Sequence, residues 1–199
     1  TKINNANSLQ ESSIAQTSST IKLPVGKNET INQKLVFSNF NFWSPENPIY
    51  YNLTIQIFKD GNLVDELTKR ISFYSLNAQD DNLFLNGSPF QLKGVTYISS
   101  NYNYGDMISY SKMESDIQMI KELGFNTIRF SKTVPHPYLI SLCEKYGLLA
   151  FVELPLNSLP ESILESRIFL ERTENYLRRF LNSYNSFSSI AGIGLGSSY

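Results

Sequence analysis

Two charged residues and a tyrosine-rich segment are the side chains in this 199-residue sequence best suited by type to chemistry. Arg129 lies within "NTIRFS" (126–131), and Glu153 ends the apolar run "LLAFVELP" (148–155). An arginine directed into an apolar interior needs a carboxylate or another charged partner, because an unpaired buried charge is costly. A carboxylate at a strand end is a candidate ligand or charge partner, and Glu153 is that candidate here. Tyr97, Tyr102 and Tyr104 belong to "YISSNYNYGDMISY" (97–110), where asparagines are interleaved. Flat amphipathic rings next to amides suit the stacking and hydrogen bonding of a sugar face. The same tyrosines equally suit a surface loop packed on a neighbouring helix. At the far end, "AGIGLGSSY" (191–199) runs an apolar strand into Ser197 and Ser198. Its "GIGLG" is no phosphate loop, since no lysine follows and no helix opens after it.

Composition excludes several classes. Hydrophobic residues make up 41% and aromatic residues 13%, the balance of a chain with a packed core. A formal net charge of −1 provides no field for nucleic acid or an anionic membrane. No apolar run approaches the roughly 20 residues of a membrane span. One cysteine, Cys143, excludes an internal disulfide and a cysteine zinc cage. One histidine, His136, leaves little for histidine metal sites or serine-type triads. No cofactor or metal is expected. Glycosylation patterns at Asn28, Asn52 and Asn86 are expected by chance in a chain this rich in asparagine and serine.

The elements that must hold these residues fall into two textures meeting near residue 80. In the first, "ETINQKLVFSNF" (29–40) alternates like a strand. "YYNLTIQIFKDGNLVDELTKRISFYS" (50–75) reads as a hairpin turning at Asp60-Gly61, with Leu53, Ile55 and Ile57 on its half-buried face. Residues 1–79 thus predict a small β-sandwich. From 80 to 199 strands and helices alternate. A hairpin turns at Asn86-Gly87 and feeds "LKGVTY". A helix over 111–125 opens on a Ser111–Glu114 capping box and stops at Gly124. A second helix runs from Pro137 to Gly147, and a third over roughly 161–187. Continuously apolar strands between helices mean a parallel sheet covered by helices. Four such units make half of an eight-stranded barrel, which needs about 250 residues. The count predicts a piece of a longer protein, its exposed edges covered by the remaining barrel half or by another chain.

"NGSPFQLKGVTY", "IKELGFNTIRFS", "PHPYLISLCEKYGLLAFVELP" and "SIAGIGLG" together resemble consecutive signatures of family 2 glycoside hydrolases, the β-galactosidase, β-glucuronidase and β-mannosidase group. The resemblance covers roughly residues 30–199. It implies an α/β fold with an all-β part: an immunoglobulin-like β-sandwich, then the first four βα units of a truncated (β/α)8 TIM barrel. It also implies a carbohydrate ligand and an extracytoplasmic setting.

Residue by residue, the resemblance implies a site that departs from the family's chemistry. Retaining glycosidases need two carboxylates about 5–5.5 Å apart. The family's acid/base glutamate follows an asparagine at the tip of strand four, and those positions here are Ser198 and Ser197. A serine hydroxyl does not replace a tuned carboxylic acid in proton transfer. The nucleophile belongs to a later strand, so no catalytic carboxylate is expected in this chain. Arg129 matches an arginine beneath the sugar site, with structural pairing as its alternative, and Glu153 matches the glutamate ending strand three. Lys132 stands where the family has a histidine, and Thr96, Tyr97 and Ile98 replace its strand-one asparagine and histidine. His136 matches a helix-start histidine whose expected role is packing and capping. The expectation is a carbohydrate-related protein that is not catalytic as this chain, against an active β-glycosidase when longer or a non-catalytic module.

Overall fold

The structure is a computed structural model describing residues 1–6, 13–38, 40–98, 108–156 and 158–196. The chain forms two units, one from Thr1–Phe42 and Ile49–Phe73, the other from Trp43–Pro48 and the chain from Tyr74 onward.

The first unit is a four-stranded antiparallel sheet built from β1 (Lys2–Asn5), β2 (Ser13–Gln16), β3 (Tyr51–Lys59) and β4 (Asn62–Ile71), ordered β2-β1-β3-β4. The β3–β4 hairpin turns where expected. Asp60 and Gly61 both have positive φ, 50° and 82°, as a turn matching strand twist requires. Its aromatic end is anchored by Tyr51, 1% exposed, whose hydroxyl accepts from the Asn41 amide at 2.7 Å. Phe73 lies 5.3 Å from both Phe37 and Phe40, in edge or tilted geometry. Two expectations change. Residues 31–38 form no strand, and the expected alternation survives only around Leu35 and Phe37, half-buried between exposed neighbours, while Ile31 and Gln33 are exposed: a strand also needs a ladder partner. Ile55 and Ile57 are 38% and 54% exposed rather than half-buried, because that face of the hairpin is open toward its tip.

The second unit begins with a meander of β5 (Leu76–Gln79), β6 (Asn82–Leu85) and β7 (Ser88–Pro89), turning at Asn86-Gly87. A four-stranded parallel sheet follows: β8 (Gly94–Tyr97), β9 (Thr127–Phe130), β10 (Leu149–Glu153) and β11 (Ile190–Gly194), in spatial order β8-β9-β10-β11. Helices α1 (Tyr110–Glu122), α2 (Pro137–Tyr146), α3 (Glu161–Leu164) and α4 (Arg167–Tyr184) connect the strands. Ile128, Phe130, Ala150 and Val152 point to the helices and pack with Ile117, Leu139 and Phe180 into the core.

The start of α1 differs from the expected capping box. The cap is Ser109, whose hydroxyl accepts from the Lys112 amide at 3.2 Å. That frees Glu114, the expected box partner, to bind Lys145 and Tyr146 of α2, each at 2.8 Å. Helix α2 keeps its expected limits. Pro137 opens it and Gly147 closes it at φ 74°. The single helix expected over 161–187 is broken into α3 and α4 at Glu165 and Ser166.

Residues 43–48 form a strap in this unit. Trp43 is 1% exposed and its indole N–H donates to the Glu144 carbonyl at 3.4 Å. Lys121 Nζ donates to the carbonyls of Pro45 (2.8 Å) and Gly147 (3.0 Å). A β-carbon at Gly147 would meet the Pro45 carbonyl oxygen at 2.3 Å, so this close approach requires glycine. Asn86 Nδ2 donates to the Trp43 carbonyl at 2.9 Å, which engages one of the three glycosylation-pattern asparagines structurally.

Candidate functional site

One face of the parallel sheet carries the helices; the other carries the charged site. Strand register decides which residues share it. Thr96, Arg129, Phe151 and Gly192 are successive cross-strand partners, and Glu153 lies opposite Gly194. Side chains alternate along a strand, so Glu153 and Phe151 point the same way, and Arg129 with them.

The centre of this face is the Glu153 carboxylate. Arg129 Nη2 donates to Glu153 Oε2 at 2.7 Å, and Ser131 Oγ donates to the same oxygen at 2.9 Å. Glu153 is 3% exposed and Arg129 51% exposed, so the carboxylate is sunk into the sheet while the guanidinium reaches outward. The buried charge thereby has the partner its burial demands. The sequence alone named both ends of this pair but left them unjoined; Ser131 and Phe151 it did not single out. Their signal lay in the two-residue period: Ser131 is two beyond Arg129 and Phe151 two before Glu153.

The Phe151 ring closes against β11 at Gly192, which has no side chain to hold it off. A β-carbon there would stand 2.8 Å from two carbons of the Phe151 ring. The face therefore combines an aromatic ring, an ion pair and a hydroxyl at the C-terminal ends of parallel strands, where barrel and open α/β sheets hold their ligands.

The other sequence-derived candidates are placed as follows. Tyr97 faces the helices, edge-on to Phe130 with ring centres 5.8 Å apart. Its hydroxyl donates to Asp116 Oδ2 at 2.9 Å, and burial followed by this hydrogen bond pushes its pKa far above the usual tyrosine value. Tyr97 and Arg129 thus lie on opposite faces. Tyr102, Tyr104, Ser197 and Ser198 lie outside the described residues. Lys132 directly follows Ser131, with φ at 67°. Ile98 is 49% exposed. His136 caps α2, its Nδ1 accepting from the Tyr138 amide at 3.1 Å. Burial pushes the Cys143 thiol well up, away from thiolate chemistry. Among the described residues no three of His, Cys, Asp and Glu converge as a metal site would need, and no helix is long and apolar enough to cross a membrane.

Comparison with known proteins gives this arrangement a family. Residues 2–73 match the model described as glycosyl hydrolases family 2, and residues 76–177 match that of the glycosyl hydrolases family 2 TIM barrel domain. A putative β-glucuronidase of Formosa agariphila is 27% identical over 195 residues, covering 96% of this chain and 23% of that protein. A β-galactosidase of Psychromonas ingrahamii is 29% identical over 132 residues, 66% of this chain and 13% of that protein. The chain thus spans less than a quarter of the length of either. Among solved structures, Bacteroides uniformis β-glucuronidase 2 covalently bound to cyclophellitol-6-carboxylate aziridine superposes with a TM-score of 0.82 at 23% identity, over 96% of this chain and 23% of that one. With both units matched in order, and the barrel model alone covering over half its residues, the chain belongs to family 2 of the glycosyl hydrolases.

Proposed function

We propose that this chain supplies part of the sugar-facing wall of a family 2 β-glycosidase barrel, and that residues 1–199 by themselves bind a glycoside without hydrolysing it. The observation carrying this reading is the Arg129–Glu153–Ser131 cluster at the C-terminal strand ends. Arg129 presents its outward side to ligand hydroxyls or a carboxylate, Glu153 holds the guanidinium in place, and Phe151 offers an apolar surface beside them. The curated relatives are a β-glucuronidase and a β-galactosidase, and the inhibitor in the Bacteroides uniformis structure carries a carboxylate. These support a pyranoside as ligand.

Hydrolysis is not expected from this chain. A retaining mechanism requires a nucleophile and an acid/base about 5–5.5 Å apart. Glu153 is engaged by Arg129 and Ser131, and the acid/base position falls on Ser198. A second reading, an active enzyme in which a longer chain completes the barrel, draws on the share of the relatives' length that this chain leaves unmatched. Incubation of residues 1–199 with 4-nitrophenyl β-D-glucuronide and β-D-galactoside tests the first reading, and the same assay on a chain that completes the barrel tests the second. No release of nitrophenol, together with ligand-induced NMR shifts lost in Arg129→Gln, is the expected result. Turnover by residues 1–199 would overturn the non-catalytic reading, and absence of binding would remove the carbohydrate role.

A further inference from the structure

An aromatic group unconnected with the Arg129–Glu153 face sits at the N-terminal ends of α1 and α2, the helices that follow β8 and β9. Tyr110, the first residue of α1, is 60% exposed. Two rings approach it edge to face: Tyr138 at 4.9 Å and His136 at 5.5 Å between centroids, with interplanar angles of 71° and 61°. An exposed tyrosine normally samples several rotamers. Two perpendicular rings at these distances hold it in one, in the geometry aromatic pairs favour.

The bracing rings are themselves fixed. His136 Nδ1 accepts from the Tyr138 amide, so the neutral imidazole carries its proton on Nε2 and has a donor there. Tyr138 Oη donates to Glu114 Oε2 at 3.4 Å, and Glu114 is tied in turn to Lys145 and Tyr146. The result is a flat, solvent-facing ring with a preset donor beside it, bedded on a polar network.

We infer that Tyr110, braced by Tyr138 and flanked by His136, is a second carbohydrate-binding site: a platform for the C–H face of a pyranose ring in a longer glycan. Aromatic stacking with a few fixed polar groups at its rim is the recognition chemistry such a ligand requires. A polyanion is disfavoured, because Glu114 adjoins the cluster and the chain carries a formal net charge of −1. The platform lies at the helix ends that follow the C-terminal tips of the strands, so a glycan held there extends along the rim on which the Arg129–Glu153 face opens. The inference rests on the carbohydrate reading of that face but uses different residues.

The test is an NMR titration of residues 1–199 with cellotetraose, xylotetraose and β-1,4-galactotetraose. At least one is expected to bind. Tyr110→Ala is expected to weaken it about tenfold, while Tyr110→Phe and Tyr110→Trp retain it. His136→Asn keeps a good helix cap but lacks the Nε2 donor, and is expected to weaken binding about threefold. Melting curves confirm that each variant is folded; Tyr110 is exposed enough that its loss leaves the core untouched. Arg129→Gln separates the two sites. Binding that survives Arg129→Gln but not Tyr110→Ala supports the platform. Binding lost in Arg129→Gln and unchanged in Tyr110→Ala overturns it while leaving the first site standing. No binding of any of the three oligosaccharides also overturns it.

Discussion

Gly192 and Phe151 occupy one volume: the space a β-carbon on the glycine would take is filled by the phenylalanine ring, 2.8 Å away. Gly192→Ala therefore forces Phe151 off its rotamer or β11 away from β10. The expected cost is about 1–3 kcal/mol in urea unfolding. Phe151→Leu in the same chain is expected to recover part of it, and a double-mutant cycle with no coupling would show that the ring does not fill this space.

The buried end of the ion pair predicts an asymmetry. Arg129→Met leaves the Glu153 carboxylate in the sheet without its guanidinium, whereas Glu153→Gln leaves an arginine that already reaches solvent. Arg129→Met is expected to be the more destabilising, by about 1–3 kcal/mol after allowing for the arginine's exposure. Equal losses in denaturant melts would count against Glu153 being the residue that depends on the pair.

Glu114 predicts behaviour in acid. The hydrogen bond from Lys145, then that from Tyr146, holds its carboxyl below the usual glutamate value. The folded state therefore binds this proton less readily than the unfolded chain. Its stabilisation is present above the ordinary glutamate value and is lost as pH falls through the lowered one. Glu114→Gln is expected to flatten the acid limb of a plot of melting temperature against pH.

Tyr74 predicts the opposite limb. Burial, and then the charge of Glu144, raise its pKa to about 12, and its ring lies 5.4 Å from that of Trp43. Here the folded state holds the proton more tightly. The stabilisation is complete below pH 10 and is lost as pH rises from there toward 12. Absorbance titration at 295 nm is expected to lose a late-ionising tyrosine in Tyr74→Phe, and that variant's stability is expected to fall less between pH 10 and 12.

How much of this was legible in the sequence depends on the range of the signal. Helix α2 could be read because its limits are local: Pro137 pre-sets the first turn, and Gly147 takes a left-handed conformation few other residues tolerate. The hairpin at Asp60-Gly61 is local in the same sense. The break between α3 and α4 has no glycine or proline at Glu165-Ser166 to announce it, and the cap is Ser109 rather than Ser111, with Glu114 bound to partners on α2 that lie far along the sequence. Residues 31–38 alternate in sequence, but strand formation depends on a neighbour that a single segment cannot reveal. In the site, residue types pointed to Arg129 and Glu153, while the bond between them depends on the β9–β10 register. The same register sends Tyr97 to the helix side, since one step along a strand reverses the face.

The Trp43–Pro48 strap has a consequence for dividing the chain. Its residues precede the antiparallel hairpin in sequence yet pack with the parallel unit, so the polypeptide is sewn rather than strung: it enters the second unit, leaves it, and returns at Tyr74. A cut at residue 80 separates the barrel piece from Trp43 and Pro45, and with them from the hydrogen-bond partners of Glu144 and Lys121. The parallel unit is thus not heritable as one continuous stretch of sequence. Excision or transplantation must carry along a stitch of six residues from upstream.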